Sequence, residues 1–147
     1  QIKSYYPSKK VIILCQDDYV FPNEKIPKLR DHIDWERPES IDFTKYENAV
    51  IEQIEHNDIV IVEGIFAYYY ESTNKLINKK IFLTLDQKFF FMRKNNDIRW
   101  GKEPDWYIEH IWNSHNKYCR NTIPNDSLII KAGKDINLES IMDFINS

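Results

Sequence analysis

Four short runs of apolar, largely β-branched residues, each ended by a polar residue, constrain this chain most: Val11–Cys15, Asp58–Val62, Lys80–Leu85 and Ser127–Lys131. Runs of this length and continuity are the pattern of strands covered on both faces, as in parallel sheets. Between them the apolar period becomes helical. Phe43 to His56 places Tyr46, Ala49, Val50 and Ile54 on one face. Phe89 to Asn95 is a second short helical run. Pro104 then opens Asp105 to Arg120, where Tyr107, Ile108, Ile111 and Tyr118 recur at similar spacing. Leu138 to Ile145 closes the chain behind a plausible N-cap, Asn137. Strands alternating with helices predict an α/β fold with a parallel sheet covered by helices on both faces. In such sheets ligands bind beyond the carboxyl ends of the strands, here after Cys15, Val62 and Leu85.

With 147 residues, 42% of them hydrophobic, the chain can bury one core, so a single domain over 1–147 is expected. The formal net charge of −3, with acids and bases interleaved, argues against a nucleic-acid binder. No apolar run approaches the roughly 20 residues that span a bilayer, so no membrane partner is expected. Cys15 and Cys119 are far apart and in no metal-ligand spacing. Cys15, inside an apolar run, reads as a buried thiol, which suits a reducing cytoplasmic compartment. His110 and His115 are five apart, which does not put two ligands on one helical face.

Four constellations carry chemistry. Gln16-Asp17-Asp18-Tyr19 follows the first strand directly, and adjacent carboxylates there suit a general base or a magnesium shell, or simply open a solvated loop. Asp58-Ile59-Val60-Ile61-Val62-Glu63-Gly64 is a hydrophobic strand ending in an acid, the usual second metal-side element of P-loop enzymes, or an ordinary strand and turn. In Trp35-Glu36-Arg37-Pro38 an aromatic plane adjoins an acceptor-only carboxylate; together they can stack on a base and bind a ribose diol, or Trp35 can anchor the core. Arg93-Lys94-Asn95-Asn96-Asp97-Ile98-Arg99, followed by Trp106-Tyr107, places arginines where they can close over a triphosphate, or forms a solvated helix end.

The order of these pieces resembles the uridine kinase-like P-loop kinases, and most closely the nicotinamide riboside kinases. The resemblance lies in Gln16-Asp17-Asp18-Tyr19, Trp35-Glu36-Arg37-Pro38-Glu39-Ser40-Ile41-Asp42-Phe43, Ile61-Val62-Glu63-Gly64, Phe82-Leu83-Thr84 and His110-Ile111-Trp112 with Tyr118. It implies a three-layer P-loop NTPase fold and ATP-dependent, magnesium-assisted phosphorylation of a nucleoside 5′-hydroxyl, with nicotinamide riboside as the expected acceptor. The alternatives are a uridine/cytidine kinase-like enzyme and a nucleoside-binding relative without catalysis. The resemblance makes Asp17 the catalytic base near magnesium and puts Asp18 and Tyr19 in the substrate loop. Trp35 becomes a base-stacking ring, Trp106 or Tyr107 the opposing ring, and Glu63 a metal-side acid. Glu36 stands where the family usually has an aspartate on the ribose, one methylene shorter. Arg93 and Arg99 fall in a lid-like segment around 93–107, with the usual arginine pattern thinned by Asn95 and Asn96. The partners expected are a nucleoside and ATP, on a monomer or homodimer.

The family's Gly-x-x-x-x-Gly-Lys-Ser/Thr loop, whose backbone N–H groups cradle phosphates, has no counterpart among Gly64, Gly101 and Gly133. Gly101-Lys102 precedes Glu103, and Gly133-Lys134 precedes Asp135. In such kinases the strand before this loop is central, and its loss would leave unsatisfied strand edges. The sheet is therefore expected to lack its N-terminal central strand. Roughly 20–30 upstream residues are expected in the parent protein, comprising a strand, the loop and most of a helix. Gln1-Ile2-Lys3-Ser4-Tyr5-Tyr6 is expected to be the tail of that helix.

Overall fold

The computed structural model describes residues 2–99, 101–133 and 136–147. Gln1, where the expected helical tail begins, and Lys134 and Asp135 after Gly133 lie outside them. The chain divides into two compact units, Gln1–Ile77 and Asn78–Ser147.

In the first unit, strands β1 (Val11–Cys15) and β4 (Ile59–Glu63) pair in parallel, from Val11 opposite Ile59 to Cys15 opposite Glu63. Their β-branched runs are the reason they pair here. Helix α1 (Phe43–His56) connects toward β4 and packs on it, burying Tyr46 and Val50, while Ile54 stays exposed. Asp42 caps α1, its carboxylate accepting from the Lys45 N–H at 3.0 Å. A small antiparallel hairpin, β2 (Lys28–Leu29) with β3 (His32–Ile33), turns at Arg30 with φ 56°. Helix α2 (Glu71–Leu76) closes the unit. Its core gathers Val11, Ile26, Ile41, Tyr46, Val50 and Phe66. Residues Ile2–Tyr5, where a helical tail is expected, form one 3-10 turn.

In the second unit, β5 (Ile81–Thr84) and β6 (Leu128–Lys131) pair in parallel, from Ile81 opposite Leu128 to Thr84 opposite Lys131. Helices α3 (Gln87–Asn96), α4 (Asp105–Ser114) and α5 (Leu138–Asn146) complete it. Asn137 caps α5 as expected, accepting from the Ser140 N–H at 3.2 Å. The continuous helix expected from Asp105 to Arg120 stops being α-helical at Ser114. A π-helical turn (His115–Cys119) and a 3-10 turn (Arg120–Thr122) follow. The Thr122 hydroxyl lies 3.0 Å from the Tyr118 carbonyl oxygen and 2.9 Å from that of Cys119, and supplies the donor that ends the helix. Tyr107, Ile108, Ile111, Cys119, Ile141 and Met142 form the core.

The chain is thus α/β, and its expected parallel pairing is realised as two two-stranded pairs, one in each unit. Strand limits move by one residue: β4 ends on Glu63 itself rather than before it, because Glu63 continues the ladder with Cys15. Among the described residues no helix is long and apolar enough to cross a membrane.

Candidate functional site

Parallel pairing puts the carboxyl ends of β1 and β4 at the same end of the first unit, and both sequence-chosen acid motifs follow from it. β1 passes straight into a 3-10 turn, Gln16–Tyr19, in which Gln16 is buried while Asp17 and Asp18 are exposed. Glu63 is the last residue of β4 and is exposed. The next residue, Gly64, lies against Gln16. A β-carbon there would sit 2.5 Å from the Gln16 Oε1 and 2.8 Å from its Cδ, so only glycine fits. The same Gln16 oxygen accepts from the Phe66 N–H at 3.0 Å, tying the turn after β4 to the turn after β1.

The Gln16–Tyr19 turn is also held from its other side. The Phe21 N–H donates to the Ser40 carbonyl and the Asp42 N–H to the Tyr19 carbonyl, both at 2.9 Å, around a bridge between Val20 and Ile41. The segment carrying Asp17, Asp18 and Tyr19 is thereby joined to the one carrying Trp35 and Glu36. Tyr19 packs edge-on against the buried Tyr46, centroids 5.2 Å apart, with the Lys45 ammonium 6.0 Å from its ring centre. Trp35 is 39% exposed, so it is not a core anchor and its ring can meet a ligand. Its backbone is held instead: the Ser40 hydroxyl lies 3.2 Å from the Trp35 carbonyl and 2.7 Å from that of Arg37. Asp34, one residue before, is buried and accepts from the Glu36 N–H at 3.3 Å, which shapes the backbone at Glu36. Pro38 opens the 3-10 turn Pro38–Ser40, ahead of the Asp42 cap.

Cys15 is half-buried rather than the fully buried thiol expected, because it ends its strand at this open rim. Glu63, opposite it on the last rung, raises its pKa above the usual thiol value, with burial second. Tyr46 is raised much further, by burial first and by the charge of Glu63 second.

The remaining sequence-chosen residues belong to the second unit. Arg93 lies in the last turn of α3 and is exposed. The Arg99 guanidinium donates to Asp97 twice, Nε to Oδ1 at 2.8 Å and Nη2 to Oδ2 at 2.6 Å, and the Arg99 backbone N–H donates to Oδ1 at 3.2 Å. That pairing holds the Asp97 carboxyl far below the usual range. Trp106 is half-buried, and Tyr107 is buried against it at 5.5 Å between centroids. A surface cavity of about 230 Å³ lies between α3 and α4, lined by Phe91, Asn95, Asp105, Ile108 and Glu109. Its two carboxylates would repel a triphosphate, so it is not a phosphate site.

Among the described residues no three His, Cys, Asp or Glu side chains converge on a ready-made metal position. Asp17 and Glu63 are exposed oxygen donors of the kind magnesium takes, since it keeps several waters and accepts one or two carboxylates plus phosphate oxygens.

No family model matches the chain. The chain is similar to a uridine kinase of Schizosaccharomyces pombe (strain 972 / ATCC 24843), 24% identical over 170 aligned positions. The match covers 92% of this chain and 37% of that protein, so the chain spans little more than a third of its relative's length. Sequence reading named the exposed acids and Trp35 but gave no role to Cys15, Gln16 or Tyr46. Gln16 stood inside a quoted motif, and Tyr46 was legible only as one residue of an apolar helix face.

Proposed function

We propose that this protein is a nucleoside kinase-type phosphotransferase, passing the γ-phosphoryl group of ATP to the 5′-hydroxyl of a nucleoside. The observation that carries the reading is the shared rim of β1 and β4, where exposed Asp17, Asp18 and Glu63 stand on a backbone joined to the loop bearing Trp35 and Glu36. The similarity to a uridine kinase along nearly the whole chain supports the same reaction class.

In this reading Asp17 accepts the proton of the attacking 5′-hydroxyl, which raises the nucleophilicity of the oxygen. Asp17 and Glu63 would hold magnesium, which would supply positive charge to neutralise the phosphates during transfer. Trp35 stacks on the base, and Glu36 accepts hydrogen bonds from ribose hydroxyls. Arg93 and Arg99 serve as lid cations and Trp106 as a second ring; the resemblance supports these roles. For Arg99 to act so, it must exchange Asp97 for phosphate. Tyr107 is the weaker choice for the second ring because it is buried.

Nicotinamide riboside is the acceptor we favour, from the motif resemblance and because a cationic base gains most from stacking on an indole face. An ADP-release assay over nicotinamide riboside, uridine, cytidine and pantothenate tests this. The expected ranking has nicotinamide riboside first, and a pantothenate preference would refute the nucleoside reading. Asp17→Asn should lower kcat by about 10²–10⁴-fold, whereas near wild-type turnover would remove Asp17 as base. Nucleoside-induced thermal stabilisation without any ADP release would instead identify a nucleoside-binding protein.

A further inference from the structure

We propose that Gln16 is a positioning residue: by locking the turn after β4 to the turn after β1, it holds Asp17 in fixed relation to Glu63. The proposal rests on the kinase reading, in which Asp17 is the base and Glu63 the metal-side acid.

The β1–β4 ladder ends on the rung Cys15–Glu63. Strand pairing therefore places Glu63, but Asp17 lies two residues past Cys15, beyond the last rung. There β1 enters the 3-10 turn Gln16–Tyr19. The chain after β4 folds on itself, with the Ala67 N–H donating to the Gly64 carbonyl at 3.4 Å and the Tyr69 N–H to the Phe66 carbonyl at 3.0 Å. Gln16 spans the two turns. Its side chain lies where a β-carbon of residue 64 would stand, and its Oε1 accepts from the Phe66 N–H at 3.0 Å. Gln16 is 0% exposed and Phe66 2%. A hydrogen bond buried in this way is stronger than one in water and has no solvent partner to exchange with. Glutamine also suits the place chemically, since it accepts from the N–H without adding a third charge beside two carboxylates.

Asp17 follows Gln16 directly, and Glu63 directly precedes Gly64, so the contact ties the backbone immediately next to each acid. The far end of the Gln16–Tyr19 turn is held separately, by the Asp42 N–H on the Tyr19 carbonyl at 2.9 Å. That end carries the link toward Trp35 and Glu36. The two ends divide the work: Gln16 sets the acids against each other, and Tyr19 sets the turn against the proposed nucleoside loop. Loosening the Gln16 end alone should disturb phosphoryl transfer and metal binding while sparing nucleoside affinity. Residues behind metal-side carboxylates commonly act in this way.

The test uses Gln16→Met, which nearly keeps the volume and loses the acceptor, and Gly64→Ala, which displaces the same contact from the other side. Each is measured for melting temperature, kcat, nucleoside KM and nucleoside Kd by calorimetry, with nicotinamide riboside and uridine as probes. Mn²⁺ affinity in the presence of ADP is read by electron paramagnetic resonance. Both variants are expected to lower kcat and weaken Mn²⁺ binding about 10-fold while nucleoside Kd and KM stay within about twofold. Val11→Ala, a buried position at the opposite end of β1, is the stability control and should keep kcat and Mn²⁺ affinity. Unchanged kcat and Mn²⁺ affinity in Gln16→Met, with Asp17→Asn inactive, would overturn the positioning role and leave the kinase reading standing. If Gln16→Met does not fold, Gly64→Ala decides by the same criterion. A loss of kcat in Val11→Ala equal to that in Gln16→Met at matched melting temperature would also overturn the role, since the effect would then be one of stability. A parallel loss of nucleoside affinity in Gln16→Met would do so too, because the two ends of the turn would not be independent. Full turnover in Asp17→Asn would overturn Asp17 as base and the proposal with it.

Discussion

At Gly64 the backbone of one strand end meets the side chain of another. Its missing β-carbon is the space in which Gln16 lies, and Gln16 in turn accepts from the Phe66 N–H. Gly64→Ala would drive a methyl group into Gln16 and break this buried bond. Overpacking of this kind costs about 1–3 kcal/mol, and urea unfolding should show a loss of that size. Gln16→Ala in the same background should leave most of the loss in place, because the nearest obstacle is the Gln16 Cβ, which alanine keeps. Unchanged stability in Gly64→Ala would mean that the turn after β4 can move away from Gln16.

Among the elements, α1 was the most legible from sequence: it spans Phe43–His56 as its periodicity required, and Asp42 supplies the cap. Asp42→Ala should cost about 1 kcal/mol of stability, read as a lower denaturant midpoint with unchanged slope. A midpoint equal to wild type would show that Lys45 finds another acceptor. The strands were legible for the same reason, since apolar β-branched runs bounded by polar residues admit few other structures. The end of α4 was not. Apolar spacing carries on through Tyr118, and nothing in it marks a change from α to π geometry. Where the π turn then stops involves the Thr122 hydroxyl and the Tyr118 and Cys119 carbonyls, a contact that exists only once the chain has folded. The acids of the site could be chosen because strand ends are predictable and exposed carboxylates stand out. Gln16 could not, because nothing in Gln16-Asp17-Asp18-Tyr19 shows which side chain turns inward. The hairpin at Lys28–Ile33 was also hidden, since two-residue strands leave no periodic signal.

For the molecule as a whole, acid sensitivity follows from His115. Burial first, and the charge of Arg120 second, hold its pKa below the usual histidine value. Its ring lies against Phe82 at 6.0 Å and Trp112 at 6.3 Å between centroids. The folded protein therefore resists protonation where the unfolded chain accepts it. This contribution to stability is complete above the unfolded histidine pKa near 6.5. It diminishes as the pH falls from there toward the lower folded value, by at most about 1.4 kcal/mol per pH unit. His115→Phe should flatten the stability profile between pH 7 and 5, measured by urea midpoints. An unchanged slope would assign the acid loss to other groups.

Glu63 stands directly on a hydrogen-bonded ladder and Asp17 two residues beyond it, whereas Trp35 and Glu36 hang from a stretch held by turns and a single bridge. In the proposed kinase reading, reactivity and selectivity are therefore mounted on different kinds of support. That reading predicts that exchanging residues 30–41 for another sequence of equal length alters which molecule is admitted while the acids keep their spacing. A kinase built in this way could change its diet without relearning its chemistry.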